Sequence, residues 1–179
     1  MLPKSFNAFG VLLQDYEVTF AELRESLLVE GPDLGKVNWD SAWRRTLVDN
    51  TEILVRQLWK AGITTVHIDG SFVQNNPHPG DIDGCFECDF NEWNTGMLEK
   101  RLNETAPKKV WTWADESKRL VLGAPKLLMW ATYRVELYPY FPEFPMGVEI
   151  DGDFVSFPDA FRRIKKRPGL KGILKLRRD

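Results

Sequence analysis

The stretch Val66-His67-Ile68-Asp69-Gly70-Ser71-Phe72 is followed, after a Pro/Gly-rich turn, by Gly80-Asp81-Ile82-Asp83-Gly84-Cys85-Phe86. The first segment runs apolar and β-branched into a Gly-Ser pair, and the second carries two carboxylates separated by one apolar residue. Both read as strands. In an extended chain, side chains at i and i+2 leave the same face about 6 to 7 Å apart, so Asp81 and Asp83 are expected to point at one spot. Like charges placed together oppose each other's ionisation unless a cation lies between them. A Gly-Ser turn closing the preceding strand offers N–H groups and a hydroxyl, which are donors for phosphate oxygens. The combination predicts a metal-nucleotide site.

Outward from this centre, Ile63 to Ile68 forms the strand entering the turn, and Asp81 to Phe86 the next. Upstream, Asn38 or Asp40 caps a long helix whose apolar residues Trp43, Leu47, Val48, Leu54, Val55 and Leu58 keep helical spacing until Gly62. Thr19-Phe20-Ala21-Glu22 has the form of a capping box and opens a helix through about Leu28, which Gly31-Pro32 ends. The residues before it, with Phe6, Phe9, Val11 and Leu12, read as an arm laid on the core. Downstream, Asn91 or Asn94 starts a helix through Leu102, and Val110 to Trp113 reads as strand or packed loop. A short helix is expected near Lys126 to Ala131. Tyr133 to Tyr138 alternates as a third strand ended by Pro139, with Val135 and Leu137 facing the core and Arg134, Glu136 and Tyr138 opposite. Val148 to Val155 predicts a hairpin turning at Asp151-Gly152. Phe157-Pro158 then leads into a basic helix, and Gly172 to Leu176 forms a closing strand.

A length of 179 residues with 43% hydrophobic and 28% charged side chains predicts one α/β (α+β) domain over 1–179, a small mixed β-sheet flanked by helices. No apolar run approaches the ~18 residues of a membrane span, and the first residues lack a secretory stretch, so a cytoplasmic setting with no membrane partner is expected. The two cysteines, Cys85 and Cys88, would need His67 and His78 to complete a zinc site. Two small strand residues facing opposite sides is the simpler reading. The net charge of −2 hides a C-terminal cluster of cations, Arg162, Arg163, Lys165, Lys166, Arg167, Lys171, Lys175, Arg177 and Arg178. Such a segment suits nucleic-acid phosphates, or a solvated helix face followed by an edge strand guarded by lysines.

The order apolar, Gly70, Ser71, nine residues, Asp81, Ile82, Asp83, then a later strand bearing Glu136, resembles the nucleotidyltransferase superfamily with the polymerase beta-like fold. Asp69-Gly70-Ser71-Phe72-Val73, Asp81-Ile82-Asp83 and the terminal Lys171-Gly172-Ile173-Leu174 also look like small uncharacterised bacterial and phage nucleotidyltransferase-like proteins. The resemblance implies that Asp81, Asp83 and Glu136 ligate Mg²⁺ or Mn²⁺ and act as the catalytic acids. Gly70 and Ser71 would then hold the phosphates of a nucleoside triphosphate such as ATP. It further implies transfer of a nucleoside monophosphate to an RNA, protein or small-molecule acceptor, in settings that include toxin–antitoxin pairs and phage defence. Small members often carry a basic residue soon after Gly-Ser, where this chain has Phe72-Val73-Gln74-Asn75-Asn76. Gly84 stands where an apolar residue is usual.

Two other readings share these residues: a catalytically degenerate nucleotide-binding or antitoxin-like protein that acts through a protein partner, and a nuclease, which leaves the Gly-Ser turn without a role. Single residues also have ordinary readings. His67 fits as a packed histidine, Asp69 as an organiser of the turn, and Trp39, Trp43 and Trp59 as core. Tyr138 and Tyr140 fit as sheet packing or as a platform for a base, and Arg134 as an ion-pair partner of Glu136 or a phosphate contact. Asp151-Gly152-Asp153 is a turn in which paired aspartates need no metal.

Overall fold

The Asp40 carboxylate accepts the Trp43 N–H at 2.9 Å and so starts the longest helix. In the computed structural model, which describes residues 1–33, 38–143, 148–150, 152–164 and 169–178, this helix covers Ser41–Lys60. It is the third of the chain, α3, after α1 (Phe20–Arg24) and α2 (Leu27–Glu30). Leu47, Val48, Leu54, Val55 and Leu58 are fully buried on one face. Each such burial contributes about 1.5 to 3 kcal/mol, far more than the few tenths available to the exposed Arg56–Glu52 pair on the other face. Packing therefore holds this helix. The Thr19/Glu22 capping box forms as expected, but Ser26 interrupts the predicted helix. Its hydroxyl donates to the Leu23 carbonyl and accepts the Leu28 N–H, ending α1 and capping α2.

Five strands make the main sheet, β1 (Tyr16–Val18), β2 (Val66–Asp69), β3 (Ile82–Glu87), β6 (Val135–Tyr140) and β9 (Leu174–Leu176), in the order β1-β9-β2-β3-β6. β2 runs antiparallel to both neighbours, while β1 and β9, and β3 and β6, pair in parallel. The fold is thus a mixed α/β sheet with flanking helices. Two hairpins stand apart from the sheet, β4 (Arg119–Val121) with β5 (Ala124–Lys126), and β7 (Val148–Ile150) with β8 (Asp153–Val155). Helices α4 (Phe90–Asn94), α5 (Met97–Thr105), α6 (Leu128–Tyr133) and α7 (Phe157–Arg162) complete the described elements.

Several boundaries differ from the sequence reading. Asp89, not Asn91 or Asn94, caps the helix after β3, and Gly96 in the left-handed region splits it in two. Val110 to Trp113 is packed loop. β6 runs through Pro139 because it is an edge strand, where a missing N–H need not interrupt a ladder. Strand β1 follows the N-terminal arm, where the sequence reading placed no strand, and the closing strand β9 is interior, between β1 and β2, rather than a lysine-guarded edge. Backbone bonds from Gly172 N to Leu12 O and from Tyr16 N to Ile173 O lace the two ends together. A side chain on Gly172 would run into the Gln14 backbone, which explains the glycine. Among the C-terminal cations, Arg162 pairs with Asp15, Lys175 with Glu17 and Arg177 with Glu22, while Arg178 donates to the Trp59 carbonyl. Asp151 of the predicted hairpin turn and Lys165 to Arg167 lie outside the described residues.

The sheet's two faces have different chemistry. Val66, Ile68, Ile82, Phe86, Val135, Leu137, Leu174 and Leu176 fill the core. Gly84 lies on this face, and a β-carbon there would stand 2.6 Å from the His67 carbonyl oxygen and 2.7 Å from Leu137 Cδ2. Gly84→Ala is expected to cost about 1 to 3 kcal/mol through overpacking, read as a lower urea midpoint at unchanged m-value. An unchanged midpoint would show that Leu137 yields freely. The opposite face, starting with Asp69, Asp83 and Glu136, carries the polar groups.

Candidate metal centre

Register places the acids. Asp69 at the end of β2 is the cross-strand partner of Asp83 on β3, and Asp83 is the partner of Glu136 on β6. One row across three adjacent strands therefore carries three carboxylates on one face. Asp81, two residues before Asp83, joins them by strand alternation. Ligand oxygens of Asp81, Asp83 and Glu136 lie within 4.8 Å of one another. The expected convergence is present, although Glu136 is buried rather than open.

Each carboxylate is held differently. Leu127 N–H donates to Glu136 Oε1 at 2.8 Å, and the Tyr138 hydroxyl donates to the same oxygen at 3.3 Å. Lys126 Nζ donates to Glu136 Oε2 at 2.6 Å and to Asp81 Oδ2 at 2.8 Å, and Trp130 Nε1 reaches that Asp81 oxygen at 2.7 Å. Asp69 forms a buried ion pair with Lys171, so its role exceeds the turn-organising one expected of it. Among the described residues, these ammonium groups bond the neighbours of Asp83 and not Asp83 itself. Burial, reinforced by the negative charges of Asp81, Glu136 and Asp69 and only partly offset by Lys126, pushes the Asp83 carboxyl up to about 6. The same surroundings hold the Lys126 ammonium firmly charged.

The turn lies against the acids. Gly70 has φ +79, a conformation that glycine adopts freely, and a β-carbon there would run into the Asp83 carboxylate. The close approach of backbone to acid thus needs this glycine. Gly70–Val73 forms a short 3₁₀ turn in which half-buried Ser71 follows directly. Its anchor is Arg44 of α3, which is fully buried and donates to the Phe72, Leu28 and Asn76 carbonyls. The guanidinium is sandwiched between the Trp39 and Phe72 rings, 4.4 and 4.5 Å from their centroids. A helix residue that reads as solvent-facing charge in the sequence is therefore a strut beneath the turn.

Lys126 and Trp130 escaped the sequence reading. Their positions depend on the β4–β5 hairpin, whose loop residues Leu122 and Gly123 both have positive φ, at 51° and 82°. Two-residue hairpin loops favour this geometry, but usually with Asn or Asp at the first place, and leucine there hid the turn. The glycine at the second place was the available signal. Arg134 also sits differently than expected. It is the left-handed cap of α6, outside β6, with its guanidinium 3.9 Å from the Trp130 ring centroid, and Lys126 rather than Arg134 pairs with Glu136.

The remaining candidates have structural positions. His67 Nδ1 is buried and, among the described residues, has no hydrogen-bond partner. Burial and nearby Arg162 push this imidazole down to about 4. Cys85 is buried, Cys88 half-buried, and both are free thiols, while His78 bonds Asp40 at 2.9 Å. Among the described residues, the acids form the metal-capable cluster and the Cys/His set does not converge. Trp39, Trp43 and Trp59 lie half-buried at the rim of the core, with the indoles of Trp39 and Trp43 donating to the Val29 and Pro79 carbonyls. Tyr138 stacks on Phe157 at 5.4 Å and an interplanar angle of 12°, and the Tyr140 hydroxyl reaches Glu87 at 3.3 Å.

The donor set suits a hard divalent cation. All the ligand atoms are carboxylate oxygens, and a cation, the Lys126 ammonium, already bonds two of the acids. Comparison with protein-family models matches residues 4–177 to a family of unknown function (DUF6932). The chain belongs to that family. No curated protein and no solved structure matches it. Among the described residues, no helix is long and apolar enough to cross a membrane.

Proposed function

We propose that the protein is a metal-dependent nucleotidyltransferase of the polymerase beta-like kind, moving a nucleoside monophosphate from a nucleoside triphosphate to an acceptor hydroxyl with release of pyrophosphate. The observation that carries this reading is the convergence of Asp81, Asp83 and Glu136 with the Gly70 turn packed directly against Asp83. A carboxylate cluster alone would suit many metal sites. A cluster backed by a strand-end Gly-Ser turn provides for the metal and the phosphates side by side.

In this role Asp81, Asp83 and Glu136 would hold Mg²⁺ or Mn²⁺, which when bound supplies charge neutralisation at the phosphates and activation of the acceptor hydroxyl. Gly70 lets the backbone approach, and the Ser71 hydroxyl donates to phosphate. Leu127 N–H and Tyr138 fix Glu136 so that its Oε2 faces the site, and Trp130 orients Asp81. Such preorganisation lets the carboxylates act without rearranging. The acceptor on this reading is an RNA end, a protein side chain or a small molecule, in a toxin–antitoxin or phage-defence setting.

The test is thermal unfolding of the wild type and of the Asp81→Asn/Asp83→Asn double variant with each ribonucleoside triphosphate, in Mg²⁺ or Mn²⁺. At a ligand concentration about 100 times the dissociation constant, binding contributes ~2.7 kcal/mol, which for a chain of this size raises the midpoint by roughly 5 to 10 °C. The expected result is a shift that requires both nucleotide and metal and is absent in the variant. A nucleotide shift that persists without metal would favour a catalytically silent nucleotide-binding protein. The absence of any shift would direct the search to a protein partner.

A further inference from the structure

The turn offers phosphate no cation of its own. Phe72 and Val73 are buried, and the Gln74 side-chain amide donates back to the Gly70 carbonyl at 3.1 Å. Among the described residues, a cation reaches these acids from elsewhere in the chain, as Lys126 at the end of β5, bonded to Asp81 Oδ2 and Glu136 Oε2. The other Glu136 oxygen is occupied by Leu127 N–H and Tyr138, so Oε2 is the one that faces a ligand. The ammonium thus sits on the Glu136 oxygen that a metal would use, and bridges it to Asp81. A divalent ion at the usual ~2.0 to 2.1 Å from these oxygens would stand within about 5 Å of the ammonium, and the like charges would repel. The two cations therefore compete for these carboxylates.

Resting on the metal-site reading above, we propose that Lys126 is a displaceable internal counter-ion. It neutralises Asp81 and Glu136 while the site is free of metal, leaves them when a divalent cation binds, and then bonds phosphate oxygens of the metal-bound nucleotide. Its surroundings permit the move. The Lys126 side chain keeps 21% of its exposure, its hairpin stands outside the main sheet, and the flexible four-carbon stem lets the ammonium turn without moving the backbone. Trp130 stays on Asp81 through its indole N–H, so the carboxylate keeps one donor when the ammonium departs. The device makes metal and polyphosphate bind cooperatively: metal alone must evict the lysine, whereas metal with phosphate gives the lysine a new partner.

The test is calorimetric titration with Mn²⁺, with and without a fixed concentration of inorganic tripolyphosphate and compared on the scale of free Mn²⁺, on the wild type and on Lys126→Met. Lys126→Gln, which keeps a donor for the carboxylates, is the second variant should the first fold poorly, and Lys100→Met is the control for lost surface charge. Lys126→Met is expected to bind Mn²⁺ alone about tenfold more tightly than the wild type, while the gain in Mn²⁺ affinity that tripolyphosphate gives the wild type shrinks about tenfold. Lys126→Gln should move in the same directions, and Lys100→Met should match the wild type. An unchanged or weaker Mn²⁺ affinity in the Lys126 variants, with the tripolyphosphate gain intact, would overturn the proposal and leave the metal site standing. Absence of Mn²⁺ binding in every protein would overturn the metal site and the proposal together.

Discussion

Lys171→Met is expected to lower the unfolding free energy by about 3 to 5 kcal/mol, because the variant removes the ammonium that bonds the buried Asp69 carboxylate. Asp69 and Lys171 are 4% and 5% exposed. Asp69 closes β2 directly opposite Asp83, so without Lys171 it also loses a cation that offsets this like charge. Much of the deficit should return in the double variant Asp69→Asn/Lys171→Met, since replacing both members of a buried pair removes the desolvation cost along with the attraction. Urea unfolding of the wild type, both single variants and the double variant closes the cycle. A single variant within about 1 kcal/mol of the wild type would show that the pair is solvated and contributes little to the site. The effect would reach function because this ion pair fastens the C-terminal segment to the strand that ends in the Gly-Ser turn.

Asp83→Asn should have the opposite effect on stability while removing the metal response. In the folded protein this carboxyl titrates at about 6, against an ordinary value near 3.8. Between those values the folded state retains a proton that the unfolded state has released, so stability is lost as pH rises through this window and stays lower above it. The shift corresponds to roughly 2 to 3 kcal/mol. In the absence of metal, the neutral asparagine variant should therefore be more stable than the wild type by about 2 kcal/mol at pH 7.5, and close to it at pH 4. His67 acts in the other direction. Its folded value of about 4 lies below the ordinary 6.5, so the unfolded state binds more protons between them and stability is lost as pH falls through that range. The two slopes oppose each other in the wild type, and Asp83→Asn should remove the one that opposes His67. Urea midpoints from pH 4 to pH 8 measure both, and a stability difference independent of pH would refute the assignment. The trade is the one expected of a binding site, where like charges cost stability until the ligand arrives.

The acids themselves were legible because strand alternation is a local rule: Asp81 and Asp83 share a face wherever β3 lies, and the Val135-Glu136-Leu137 alternation put Glu136 on the polar side of its strand. The long helix was legible for the same reason, its Asp40 cap, apolar spacing and Gly62 stop all lying within one segment. Failures came where the deciding partner was distant. Arg44 shows no sign of its role until Phe72 and Asn76 fold over it, and Lys171 reads as one member of a basic tail until β9 inserts between β1 and β2 and carries it against Asp69. Lys126 depended on a turn whose leucine disguised it.

The sequence by itself determined the periodicities, and with them the long helix, the strand faces and the pairing of Asp81 with Asp83, while Glu136 as the third acid came from the resemblance. Only the tertiary structure decided the electrostatic surroundings of that cluster, since Lys126 and Trp130 bond its acids and Lys171 bonds the neighbouring Asp69. The physical reason is that the side-chain direction along a strand follows from backbone geometry, whereas the electrostatics of a buried site depend on which distant groups the fold brings within a few ångströms.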